Sequence, residues 1–131
     1  MSHDEGRPYF RTMKVAADGR PRCGSTGQCL GARPRDIRVD EHGRVAPNSG
    51  GMSMTPDTPE QMPVEYRPTW LRGLSRFPLF VIRAGQVGAK LQITPHSRTD
   101  HFLEPAHAMQ LDDYQAALCT TGPAWKKEEK K

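Results

Sequence analysis

The chain has 131 residues and a mass of 14.7 kDa, enough for one domain with a small core. Leu, Ile, Val and Phe together number 21, while Gly and Pro number 12 each. A net charge of only +4 does not suit a charge-expanded disordered chain, so a folded, loop-rich domain is expected. No apolar run approaches the ~20 residues of a membrane helix, and residues 1–10 lack the apolar stretch of a secretory signal; membrane, Sec-exported, coiled-coil and repeat proteins are set aside.

Residues 9–15 (YFRTMKV) form a short β-prone run, with Phe10, Thr12 and Lys14 on one face and Tyr9, Arg11, Met13 and Val15 on the other. Ala17-Asp18-Gly19 breaks it, and residues 20–34, with three glycines and two prolines, read as loop. Residues 37–45 (IRVDEHGRV) resemble a tight hairpin with His42-Gly43 near its tip. A turn cluster, residues 46–51, then leads into Met52-Ser53-Met54-Thr55. Prolines at 56, 59, 63 and 68 forbid a continuous helix or central strand beyond it. Residues 78–84 (PLFVIRA) are the most apolar run and predict a central strand; residues 89–94 predict a second and 101–104 a third. The last element is a helix from Gln110 to about Cys119. Leu111, Tyr114 and Leu118 recur at helical spacing, Asp112 and Asp113 complement the dipole in the first turn, and Thr121-Gly122-Pro123 ends it. The expected class is α+β, mainly β, with few helices.

The pI near 9.2 raises the question of nucleic acid. The arginines are interspersed with acids, the aromatics are not spaced as a stacking platform, and residues 126–131 (KKEEKK) read as a mixed-sign flexible tail. Nucleic acid is therefore not expected as the main partner. Three cysteines without a CxxC pair argue against a disulfide framework and for a reducing compartment. Cys23 and Cys29 flank a Gly24-Ser25-Thr26-Gly27 turn. A disulfide or half a zinc site is conceivable there, but small semi-buried thiols are the favoured reading, and no metal is expected.

Four polar features stand out. Arg11 lies inside a β run, either on a solvated edge or as a bidentate clamp for phosphate. Gly50-Gly51 before Met52-Ser53 allow close backbone approach to a ligand, with the Ser53 hydroxyl at the strand start; an ordinary loop entering a strand is the plainer alternative. His101 opens a strand and could act as donor or acid/base, or be a bystander; the spacing of His96, His101 and His107 fits no usual zinc motif. Glu104 closes the same strand, as a base or, more simply, as an exposed charge. No Gly-x-Ser-x-Gly elbow supports acyl transfer.

Taken in order, these pieces resemble the type VI secretion exported effector two toxins, whose domain is of ADP-ribosyltransferase type. Tyr9-Phe10-Arg11 followed by Asp18-Gly19 is similar to that family's opening tyrosine–arginine strand. The segment from Arg44 through Ala46-Pro47-Asn48-Ser49-Gly50-Gly51-Met52-Ser53 is similar to its alanine–proline–x–x–glycine–glycine–threonine–serine stretch. His101-Phe102-Leu103-Glu104-Pro105-Ala106-His107-Ala108-Met109 resembles its histidine–proline–alanine–methionine segment, with a helix following. The resemblance implies a small split β-sheet core gripping NAD as substrate. Arg11 would hold phosphate or ribose, Ser53 beside Gly50 and Gly51 would line the nicotinamide–ribose pocket, His101 would face the same cleft, and Tyr9 would stack behind the cofactor. Met52 stands where the family has threonine, and the transferase glutamate has no counterpart, since Glu104 follows His101 by three and falls on the opposite strand face.

The resulting expectation is a single toxin domain over residues 1–125 with a tail at 126–131. It would be cytoplasmic in its producer, delivered by a secretion system, active in a target cell's cytoplasm, and neutralised by a cognate immunity protein. Arg11, Ser53 and His101 should converge on one cleft, with Arg98 as a reserve cation. The rival reading is a non-catalytic interaction module docking through its proline-rich residues 55–68.

Overall fold

The computed structural model describes residues 5–129. Six strands form one antiparallel sheet: β1 (Pro8–Thr12), β3 (Met52–Pro56), β4 (Leu79–Arg83), β5 (Leu91–Pro95), β6 (His101–Pro105) and β8 (Lys126–Glu128), in the spatial order β5-β6-β3-β1-β4-β8. A two-stranded ribbon of β2 (Arg44–Val45) and β7 (Met109–Gln110) leads into the one α-helix among the described residues, α1 (Leu111–Thr120). The mainly-β α+β expectation holds at this level.

The most apolar run becomes β4, an interior strand between β1 and β8. Alternation along the strands sends side chains to two covered faces. Tyr9, Met52, Met54, Phe80, Ile82 and Leu103 pack with Tyr114 and Leu118 of α1 and with Trp125. On the reverse face Phe10, Leu79 and Val81 are covered by Met62 of the proline-rich segment, whose prolines permit only short 3-10 turns, and by Trp70 just beyond it. That segment is fastened to the sheet, with the buried Thr12 hydroxyl donating to the Tyr66 carbonyl at 2.6 Å.

Two expected elements differ. Residues 37–45 form no strand pair: a turn closes at Gly43, but Arg44 and Val45 pair with β7, while Arg38 and Gly51 bond back to Ser49 and Asp36. Residues 126–128, expected as tail, instead form the sheet's edge strand against β4. The buried Trp125 anchors that strand, and an edge accepts lysines facing water. Residues 130–131 lie outside the described residues.

Candidate functional site

The sheet is forked. The last residues of β3 pair with β1, as Tyr9 with Pro56 and Phe10 with Thr55, whereas Met52, Ser53 and Met54 pair with β6. Continuing the β1 register would set Thr12 opposite Ser53. Instead β1 turns away, and beyond it the Lys14 N–H donates to the Gln28 carbonyl while the Lys14 carbonyl accepts from the Arg22 N–H, both partners in the 20–30 loop. A cleft of about 450 Å³ opens at this fork. Arg11 and Ser53 line it, with Lys14, Gln28, Arg33 and Asp36 on one side and Met62, Tyr66, Thr99 and Asp100 around them. Its size falls within the ~300–1,000 Å³ of small-molecule sites.

Arg11 holds the fork open. Its Nη1 donates to the Ser53 carbonyl at 2.8 Å and its Nη2 to the Cys29 carbonyl at 3.1 Å, while Nε is buried without a partner. No carboxylate forms an ion pair with it among the described residues. Asp36 is the nearby acid, and it is engaged by Arg33 through Nε at 3.1 Å and Nη2 at 3.0 Å. Burial therefore dominates and lowers the Arg11 pKa from its usual value to about 10, against the partial support of Asp36. Burial opposes the charge on Asp36 as well. Hydrogen bonds from Arg33, and the Arg33 and Arg11 charges, outweigh it and hold that carboxyl below its usual value. At neutral pH Arg11 remains a cation, satisfied by backbone oxygens alone and retaining one N–H on each terminal nitrogen.

The structure brings Arg11 and Ser53 together; the exposed Ser53 lies on the cleft wall. It does not bring His101 there. His101 pairs with Met54 on the helix-covered face, is 5% exposed, and meets the Tyr9 ring at 5.6 Å. Its Nδ1 is buried without a partner; burial first, then the Arg7 charge, lowers its pKa, with Asp57 and Asp100 opposing. Tyr9 is likewise a core residue, under Arg7 at 5.7 Å.

Gly50 and Gly51 do not line the cleft. Gly50 has φ +104, and a Cβ there would sit 2.4 Å from the Asp36 carbonyl; one on Gly51 would sit 2.8 Å from that of Leu103. Their smallness serves backbone packing beneath Ser53. Arg98 is exposed and outside the lining, although its neighbours Thr99 and Asp100 are in it. Glu104 is on the face opposite His101, as alternation requires, but it is buried rather than exposed. Its Oε2 accepts from Asn48 N–H at 2.8 Å and from Gln92 Nε2 at 3.0 Å, because the 46–51 turn folds over the strand end.

Sequence reasoning missed Gln28, Arg33, Asp36 and Asp100 as lining residues. The i,i+3 spacing of Arg33 and Asp36 was the one available signal. No cluster of metal ligands occurs among the described residues, and no described helix is long and apolar enough to cross a membrane. Compared with protein-family models, curated proteins and solved structures, the chain matches none, so its chemistry is argued from its own residues.

Proposed function

We propose that the fork cleft binds NAD as a substrate, in an ADP-ribosyltransferase-like core, and that the chain is a bacterial toxin or effector domain neutralised by a cognate immunity protein. The observation that carries this reading is Arg11, a recessed cation at the cleft with carbonyl partners only. A phosphate or ribose oxygen of the dinucleotide complements it, and charge-assisted hydrogen bonds in a recessed site are the strong kind. Lys14 adds positive charge, while Arg33 is already paired with Asp36.

Ser53 lies beside the Arg11 guanidinium and would line the nicotinamide ribose. Breaking the nicotinamide–ribose bond sends its electron pair to the leaving nitrogen and develops positive charge on the sugar. Of the two lining carboxylates, Asp36 is held by Arg33, which leaves Asp100 to face that charge. Water or an acceptor nucleophile then takes the ribose carbon and gives up its proton. His101, behind the sheet, supports the wall through Tyr9 and Met54 rather than touching substrate.

Purified chain incubated with NAD, with released nicotinamide measured, tests the chemistry; induced expression in bacteria tests toxicity. Wild type should release nicotinamide and arrest growth, and Arg11→Ala and Ser53→Ala should do neither while giving folded protein. Growth arrest without NAD binding would leave the scaffold and remove the NAD chemistry. Loss of neither activity nor toxicity in Arg11→Ala would remove this cleft. The docking-module reading, through residues 55–68, has the exposed Val64 and Tyr66 in its favour, and predicts no arrest at all.

A further inference from the structure

The three cysteines are free thiols, and the geometry does not select the Cys23–Cys29 pair that flanks the sequence turn. Cys23 forms a parallel bridge with Leu30, and the Leu30 carbonyl accepts from the next residue, Gly24, at 3.2 Å. The same carbonyl receives the Cys119 thiol of α1 at 3.9 Å. One backbone oxygen thus gathers Cys119 and the neighbour of Cys23, which sets the Cys119 and Cys23 side chains beside each other. Burial first, and then the neighbouring Cys23 thiol, raise the Cys119 thiol to about 12. Cys29 is occupied elsewhere, buried with its sulfur 3.3 Å from the Thr26 hydroxyl. Cys23 is the exposed member of the three.

We propose that Cys23 and Cys119 are an oxidative modification site, closing to a disulfide by exchange with a small-molecule disulfide such as oxidised glutathione. The exposed Cys23 thiolate attacks one sulfur of the small disulfide and expels the other as a thiol. The Cys119 thiolate then attacks the Cys23 sulfur and expels the second small thiol. Two protein thiols are oxidised, one disulfide is reduced to two thiols, and no other reagent is consumed. The second step is the slow one and quickens in alkali, because Cys119 is seldom ionised at neutral pH. The bond would tie to α1 the loop that supplies Thr26, Gln28 and Arg33 to the cleft wall, whatever the cleft binds.

The folded full chain is incubated with oxidised glutathione in mildly alkaline buffer, quenched in acid, unfolded, and its thiols counted beside intact mass. Expected is a fall from three thiols to one, a mass loss of two hydrogens, no glutathione adduct, and a monomer on a non-reducing gel. Cys29→Ser should still lose two thiols and keep none. Cys119→Ser should stop at a glutathione adduct on Cys23. A wild type that keeps three thiols, holds a lasting adduct or dimerises through sulfur overturns the proposal, as does a Cys29→Ser variant that no longer closes. Urea midpoints confirm that each variant is folded, and Cys23→Ser, at an exposed position, gives a second non-closing control.

Discussion

Replacing Arg11 with methionine separates a ligand-binding cation from a structural one. The drop in pKa from the usual arginine value to about 10 corresponds to a penalty of about 3 kcal/mol on the charged form in the folded protein. Below about pH 10 the group is charged both folded and unfolded, so the penalty is constant at neutral pH. It fades only as pH climbs from about 10 towards the usual arginine value. The hydrogen bonds to the Ser53 and Cys29 carbonyls offset it, at roughly 1.5–3 kcal/mol each for a charged donor. Methionine keeps the apolar stem, removes the desolvated charge, and leaves those two carbonyls to find water. The opposing effects cancel to within about 3 kcal/mol. Urea unfolding at neutral pH should therefore give a midpoint near that of wild type with an unchanged slope. In parallel, the rise in Tm that millimolar-range NAD gives the wild type should disappear, and Arg11→Lys should retain a fraction of it. A stability loss above about 4 kcal/mol would make Arg11 a keystone of the fork rather than a binding group. An undiminished NAD shift in the folded variant would refute its role outright.

Other perturbations probe the frame around the cleft. Because the folded pKa of His101 lies below its unfolded value, the unfolded chain takes up the proton first as pH falls. The neutral ring's contribution is present above about pH 6.5 and is lost below it, so stability should decline from about pH 7 to pH 5, and His101→Phe should flatten that decline in urea midpoints. Tyr114→Phe removes a buried hydroxyl that accepts from Met52 N–H at 3.1 Å and donates to the Leu103 carbonyl; stranding both groups should cost about 2–4 kcal/mol by denaturation, and a loss under about 0.5 kcal/mol would mean that the strands close on each other. Gly50→Ala places a methyl group against the Asp36 carbonyl at a left-handed φ, and thermal unfolding should show a loss of at least about 2 kcal/mol; near-wild-type stability would contradict the close approach.

The parts of the fold that declare themselves in the sequence are those governed by local period. β4, β6 and α1 fall within a residue or two of their expected positions, because alternation and helical spacing are properties of neighbouring side chains. Which face of a strand meets ligand is not such a property when both faces are covered. His101 sits where a strand start was expected, yet alternation alone could not tell that its face lies under α1. The fork arises from pairing partners 45 to 51 residues apart, and the cleft wall from a glycine-rich loop with no period at all. Arg11 was legible as an anomaly, a charge among apolar neighbours; its lack of a carboxylate partner became visible only when Asp36 was seen paired to Arg33. Glu104 read as a strand-end charge, since nothing local announces that residues 46–51 fold over it.

The edge strand β8 also bears on how the chain tolerates being shortened or extended. Its three residues satisfy the outer flank of β4, the most apolar strand, through Leu79, Phe80 and Val81. Trimming residues 126–129 as though they were ornamental would bare the main-chain donors and acceptors of Leu79, Phe80 and Val81, flanked by large apolar side chains, a template for self-association. Lys126 and Lys127 point the finished edge towards water and discourage another copy from docking along it. A fusion partner is therefore better joined beyond Glu129 than in place of this strand, and a neutral replacement of the two lysines would trade solubility for stickiness without altering the cleft.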